Sequence, residues 1–446
     1  MPQGQRHRAS CPAGFPPCLL LTGHGRMTVE AQLSAPTRPA PPRTPALMWA
    51  VVALCTAAIT VEGFDLIVYG VALPSMLADA SLGLDKSLAG TLGSLAYAGM
   101  LVGAVVCGPL ADRLGRRRLV LASGVVFTVF TVACAVVVEP WQFGVARLLA
   151  GIGMGGVMPS CVALSKEYAP QGRSALVATV VLAGIPVGGV LAALTAASWG
   201  GSLGWRGLFG IGAALSAAVI TAAYFLLPDS LPSRPAIDTT PQDAARSPRD
   251  GGAASVRTIL SRPHARRTVL FTVANFAVLL AWYGLNTWLT QLMREMDYPL
   301  GSALRFTLVL NLGAVVGSFA LAALADRIGP RPVTIGSAVL AGLAVLCLSQ
   351  GGGTVMILGV TALAGVGAHS ALTMLNDWVA SSYPTTARAT ALGCVSGFGR
   401  GGAIVAPLIG GWILQAALGP TTVFYVFAAA ALLCAATLLA VPARRD

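Results

Sequence analysis

Charge is scarce in this sequence: 10% of its 446 residues are Asp, Glu, Lys or Arg, whereas 55% are hydrophobic. A soluble globular protein carries about 25% charged residues, so that class is excluded. Histidine is scarcer still, with four in the chain, and His369 alone falls in an apolar stretch. The nine cysteines stand singly, without a Cys-x-x-Cys pair or any spacing suited to a metal, which indicates neither a disulfide framework nor a metal site. No nucleophile and base pattern stands out either, so an enzyme is not expected, and no cofactor. A signalling receptor would need a folded polar domain, and no polar stretch looks like one.

What the chain has instead is twelve apolar segments of membrane-spanning length, at about 47–77, 88–111, 118–138, 142–164, 174–197, 207–227, 268–290, 303–325, 332–350, 354–380, 388–415 and 421–441. This predicts an all-α polytopic membrane protein with an N-terminal six-helix bundle (47–227) and a C-terminal one (268–441). Residues 228–267, with six prolines and seven arginines and no apolar face, read as a cytoplasmic linker. The Pro- and Arg-rich residues 1–46 read as a disordered cytoplasmic tail in which Met27 offers a second start, and 442–446 as a short cytoplasmic tail. Of the 29 Lys and Arg, 23 fall on the side of the two termini, four (Lys86, Arg206, Arg294, Arg305) on the other, and Arg147 and Arg400 lie within spans. The positive-inside rule then puts both termini in the cytoplasm. The basic excess is a topogenic and lipid-facing signal, so a net charge of +12 calls for the bilayer as partner and not for nucleic acid.

An internal repeat supports the division. Asp112-Arg113-Leu114-Gly115 recurs as Asp326-Arg327-Ile328-Gly329, and two further pairs, Tyr168 to Arg173 with Tyr383 to Arg388 and Gly184 to Gly189 with Gly397 to Gly402, agree in offset within one residue. Parallel six-helix repeats with substrate held between them at mid-membrane are a secondary-transporter design.

Two acids interrupt the first apolar segment. Glu62 lies near its middle and Asp65 follows at i+3, on one helix face. A charge at the bilayer centre costs about 2.5–3.5 kcal/mol, so such acids face a water-filled path or a cationic partner and mark function. The spacing predicts one shared environment with Arg147, in which proton affinity depends on whether the arginine is engaged: Asp65 carries proton coupling and Glu62 tunes it. A structural ion pair is the alternative. In the second half Arg400, Tyr283 and His369 fall at similar mid-depth, a guanidinium for a carboxylate with a phenol and an imidazole beside it. His369 reads equally as a hydrogen-bonded structural histidine, Asp377 as an inner-end cap or a partner for Arg388, and the tryptophans 282, 288 and 378 as interfacial belt or ring-stacking residues.

The loop after the second segment, with its glycine for a tight turn, reads as a gate latch. Asp112 would accept hydrogen bonds from a neighbouring helix N-terminus while Arg113, Arg116 and Arg117 reach carboxylates or headgroups, with Asp326 and Arg327 as the counterpart in the repeat. This loop closely resembles the signature of the major facilitator superfamily, as Arg147-Leu-Leu-Ala-Gly151-Ile-Gly153 resembles its fourth-helix pattern. At finer grain the chain resembles the aromatic acid:proton symporter family, on Glu62-Gly63-Phe64-Asp65, Tyr283-Gly-Leu-Asn286-Thr287-Trp288-Leu289, Tyr383 to Gly393 and Gly399-Arg400-Gly401-Gly402. Glu62 stands where that family has Asp, and His369 where Gln is expected. The resemblance implies a monomeric secondary active transporter of the plasma membrane that imports a benzoate- or hydroxybenzoate-like organic acid by proton symport with alternating access. It puts Arg400, Tyr283, His369 and Asn286 at the substrate. A proton-coupled drug or metabolite efflux antiporter on the same fold is the alternative.

Overall fold

In a bilayer there is no water to satisfy backbone groups, so an apolar segment must bond to itself, and a helix does this within one segment. The computed structural model of the chain describes residues 45–169, 174–228, 257–259 and 261–442, and among these the regular structure is helical throughout. The expected N-terminal tail, most of the linker and the last four residues lie outside the described residues.

The first half runs α1 (Pro45–Ala78), α2 (Lys86–Leu114), α3 (Arg116–Val136), α4 (Pro140–Tyr168), α5 (Ser174–Leu182) and α6 (Gly184–Leu226). The second runs α7 (Arg262–Glu295), α8 (Leu300–Ile328), α9 (Pro330–Leu348), α10 (Thr354–Ser382), α11 (Thr385–Gln415) and α12 (Pro420–Leu439). The boundary between the fifth and sixth spans falls at Gly204, inside the gap that the hydropathy leaves at 198–206. One helical run of 51 residues, Leu176–Leu226, reads as a single span by length, which reduces the continuous candidates to eleven. At about 1.5 Å per residue it is more than twice as long as a hydrocarbon core of about 30 Å is thick. Gly204, at φ 62°, breaks it, so the fifth span is α5 with residues 184–203 and the sixth is 205–226. Among the described residues the spans therefore number twelve.

The two copies of the repeated motif end their helices in the same way. Gly115 ends α2 at φ 83° and Gly329 ends α8 at φ 88°, the left-handed region that a residue without Cβ adopts cheaply, and each amide still closes the last turn onto Ala111 or Ala325. Both glycines let the chain turn directly into the next helix. At the other end of α2, Asp85 caps by accepting the Leu88 amide at 2.6 Å.

Within the first half α1 packs on α6 and α2 on α4; within the second, α7 packs on α11 and α10 on α8 and α9. The halves meet through α2 with α11, α6 with α8, and α1 with α7. These junctions are tight at the end of the bundle that carries Lys86. There Gly90 of α2 lies so close to Pro407 and Gly411 of α11 that a Cβ would run into the Pro407 carbonyl, and Gly70 of α1 lies as close to the Asn286 carbonyl of α7. Lys86 pairs with Glu295 at 2.7 Å, and the Ser94 hydroxyl donates to the Ile404 carbonyl at 2.6 Å. At the opposite end, which carries Arg116, Gly108 of α2 and both Gly393 and Gly397 of α11 have no neighbour within 4 Å of where a Cβ would stand. The bundle is thus shut at the Lys86 end and parted at the Arg116 end.

Candidate functional site

Arg400 sits at the middle of α11, and its side chain reaches across to the other half, where one Nη donates to the Met100 carbonyl of α2 at 3.1 Å and the other approaches the Met158 sulfur of α4 at 3.9 Å. A carbonyl and a thioether are weak answers to a guanidinium with five N–H donors, so most of its hydrogen-bonding capacity is available to a ligand. It lines a cavity of about 140 Å³ between the halves. The first half supplies Tyr97, Met100, Met158, Leu182 and Ile185 to this cavity, a wall of ring, thioether and alkyl groups. The second half supplies the polar wall: Asn275, Tyr283, His369, Thr373, Asn376 and Ser396 beside Arg400. Tyr97 and Tyr283 meet across the halves at 4.7 Å between ring centroids. A second cavity of about 440 Å³ shares Ser396 and Arg400 and runs past Gly108, Ala111 and Arg116, so the site communicates with the parted end.

Three of the four residues expected at the substrate, Arg400, Tyr283 and His369, are therefore brought together. Asn286 is not. Its amide donates to the Trp282 carbonyl at 3.0 Å and accepts from Asn311 at 3.0 Å, which ties α7 to α8 away from the cavity. His369 presents its ring to the cavity while its Nδ1 is paired with the Ser318 hydroxyl at 2.8 Å and its edge meets Trp282 at 5.0 Å. Trp282, Trp288 and Trp378 are all buried and pack between helices, Trp288 donating to the Pro407 carbonyl at 3.1 Å, so they do not form an interfacial belt.

The two acids of α1 do not share one environment as their spacing suggests. Asp65 is fully engaged: Arg147 of α4 donates to its Oδ2 at 2.5 Å, and the Thr131 hydroxyl of α3 donates to its Oδ1 at 3.2 Å. The guanidinium also lies over the Tyr69 and Phe209 rings, at 5.5 and 5.8 Å. Glu62 is as completely buried, yet neither of its carboxyl oxygens has a hydrogen-bond partner. Arg400 and Asp65 are the charges near enough to act on it. The i+3 step was legible, but the turn of the helix aims Asp65 into the first half and leaves Glu62 to the interface.

The residues of the expected latch lie at the parted end. Arg116 pairs with Glu167 of α4, and Arg117 donates to the Tyr224 carbonyl at 2.8 Å. Arg113, Asp326 and Arg327 are exposed. Asp112 is in the last turn of α2, its side chain outside the described atoms. Asp377 is exposed on α10 and makes no ion pair with Arg388 among the described residues.

The family comparison is direct: the model of the Major Facilitator Superfamily matches residues 55–320 and 306–446. The chain belongs to the major facilitator superfamily. It is a multi-pass membrane transporter and not an enzyme. A gentisate transporter of Corynebacterium glutamicum is 39% identical over 386 residues, 84% of this chain and 84% of the relative. A benzoate transport protein of Acinetobacter baylyi is 32% identical, covering 82% of this chain and 84% of the relative. Among solved structures, a D-xylose–proton symporter superposes with a TM-score of 0.70 at 16% identity, over 87% of this chain and 97% of that one, which supports the fold alone.

The residues that the sequence reading missed are Tyr97, Met100, Met158, Asn275, Asn376 and Ser396. Asn275 had a signal: it lies eight residues before Tyr283, two helical turns, and so on the same face of α7.

Proposed function

We propose that this transporter imports an aromatic carboxylate of the benzoate or hydroxybenzoate class together with protons, across the plasma (inner) membrane of its cell. The observation that carries this is Arg400, a mid-membrane guanidinium with most of its donors unclaimed, in a cavity walled by Tyr97 and Tyr283. A carboxylate matches the guanidinium fork, and the rings and thioethers suit the flat face of an arene. That relatives covering most of the chain are named for gentisate and benzoate points the same way. Such a cavity suits an anion better than the lipophilic cations an efflux antiporter would carry. The excess of Lys and Arg at the Arg116 end makes that end, with both termini, cytoplasmic. The structure then corresponds to a state open to the cell interior.

In this reading the proton is carried by Glu62, with the Asp65–Arg147 pair holding α1 on α4. A buried carboxylate without hydrogen bond or contact cation is costly. Glu62 is relieved either by taking a proton or by the approach of Arg400, and an anion on Arg400 withdraws the second option. Substrate binding and protonation thereby favour each other.

Proteoliposomes with an acidic exterior should accumulate labelled benzoate or 4-hydroxybenzoate and lose it on addition of a protonophore. Glu62→Gln should still exchange labelled for unlabelled substrate but not accumulate it. Accumulation that ignores the pH gradient would remove the proton from this mechanism, and failure of the wild type to bind any aromatic carboxylate would remove the substrate.

A further inference from the structure

Most polar side chains around the cavity are already occupied. Asn376 donates to the Leu372 carbonyl at 3.2 Å and accepts from Ser396 at 3.4 Å, Thr373 bonds back to the carbonyls of His369 and Ser370, and His369 bonds Ser318. Asn275 differs. It is 1% exposed, it lines the cavity, and its Oδ1 has no partner. Among the buried side-chain atoms left without a partner in the described residues, it is the one whose residue faces the cavity.

The packing of α7 on α11 brings this amide to the anion site. Its side chain lies against Gly399, where a Cβ would press on it, and the next residue is Arg400. Asn275, Leu279 and Tyr283 succeed one another along one face of α7, so the amide, an alkyl group and a phenol form a strip beside the guanidinium. An orphaned buried acceptor is an energetic liability unless something meets it on binding. An aromatic C–H does not. A phenolic O–H does, and the amide nitrogen can in turn donate to the phenolic oxygen, since a carboxamide offers both functions.

Building on the aromatic-carboxylate reading, we propose that Asn275 is a specificity-determining residue that hydrogen-bonds a ring hydroxyl, so that the cargo is a hydroxylated aromatic acid in preference to unsubstituted benzoate. A site built to bond a substrate hydroxyl rejects the analogue lacking it more strongly than an apolar pocket rejects an added one, because its own polar group is left unpaired. The position of the hydroxyl on the ring is an outcome of the test.

The purified wild type is titrated by calorimetry with benzoate, the three monohydroxybenzoates and 2,5-dihydroxybenzoate, and the same series is run on Asn275→Leu and Asn275→Ser. At least one hydroxylated acid should bind the wild type about tenfold or more tighter than benzoate. Asn275→Leu should bring that acid to within about threefold of benzoate while benzoate affinity holds, and Asn275→Ser should retain part of the preference. Equal affinities in the wild type overturn the proposal without any variant, even where Asn275→Leu does not fold. Equal losses for both ligands in a folded Asn275→Leu overturn it too, by making the residue structural. A wild type that binds benzoate but does not discriminate leaves the aromatic-carboxylate reading standing, whereas one that binds none of the acids overturns both.

Discussion

Exchanging Arg400 for lysine tests the anion site with charge retained. The guanidinium currently holds the Met100 carbonyl at 3.1 Å and approaches the Met158 sulfur, and a bound carboxylate would take up its remaining N–H groups in a two-pronged contact. Lysine supplies a point charge on a shorter reach and cannot keep both prongs. The loss of one charge-assisted hydrogen bond, or its distortion, costs about 1–3 kcal/mol, which at about 1.4 kcal/mol per decade is a five- to hundredfold rise in Kd. Arg147→Lys is the control. That arginine is buried against Asp65 and two aromatic rings within the first half and is not among the residues that line the cavity. Its exchange should leave Kd within about twofold and shift the pH dependence of uptake instead, because Arg147 compensates the Asp65 charge that acts on Glu62. Calorimetry with benzoate and a hydroxybenzoate gives the first quantity, and transport rates between pH 5 and 8 give the second. If Arg147→Lys loses affinity while Arg400→Lys keeps it, the substrate anchor is in the other half and the cavity has been misread.

Asp112→Asn should slow transport several-fold while leaving Kd unchanged, because the residue ends α2 at the parted end, far from the mid-depth cavity; a loss of affinity with unchanged turnover would place it in the binding site. Asp79, just past α1, is held well below the usual carboxylate range, first by the Ser81 hydroxyl and then by the Trp205 indole at 2.9 Å, with Arg206 on the same oxygen at 3.0 Å. A depressed carboxylate stabilises the fold above its unfolded value near 3.9 and loses that contribution only as pH falls through the folded one. Asp79→Asn should therefore lower the melting temperature of the detergent-purified protein by the same amount at pH 5 as at pH 7. A difference that fades between those values would mean that the carboxylate is not held down.

Spanning segments were legible because hydropathy over some twenty residues depends on composition, which packing cannot override. The break between the fifth and sixth spans was legible only as a gap at 198–206, not as a residue. Gly200, Gly201 and Gly204 all offer a turn, and only the backbone, positive in φ at Gly204, selects one. The ionic core of the first half was readable in outline, since Arg147 lies at a depth from which it can reach α1. Which acid it reaches depends on the rotation of α1 about its axis, and a three-residue step of about 300° separates Glu62 from Asp65 by some 60°, enough for one to face α4 and the other the interface. Asn286 and Asn275 are opposite failures of the same kind. A motif resemblance pointed to Asn286, whose amide is consumed by helix packing, while Asn275 carried no motif and yet holds the open acceptor.

The two walls of the cavity divide the work of transport in a way that bears on coupling. The polar side chains of the lining come mainly from the second half, so in the proposed reading the half that would hold the anion is not the half that carries Glu62 and the Asp65–Arg147 pair. Helices in lipid gain little from hydrophobic burial against each other, and the closed end rests on close van der Waals packing at Gly70, Gly90 and Gly411, on the Ser94 hydrogen bond, and on the part-exposed Lys86–Glu295 pair. An exposed pair of that kind contributes about 0–1 kcal/mol, so the closed end can part again at modest cost. In the proposed symport, what must not be cheap is rocking with only one of the two cargoes aboard. Arg400 is positioned to enforce this, because its side chain belongs to the second half while its hydrogen bond at 3.1 Å is to Met100 of the first. In this mechanism an anion that draws the guanidinium away from Met100 both loosens a contact between the halves and deprives Glu62 of its nearest compensating cation. The carboxyl must then be protonated before the halves can close over it without burying an unanswered charge.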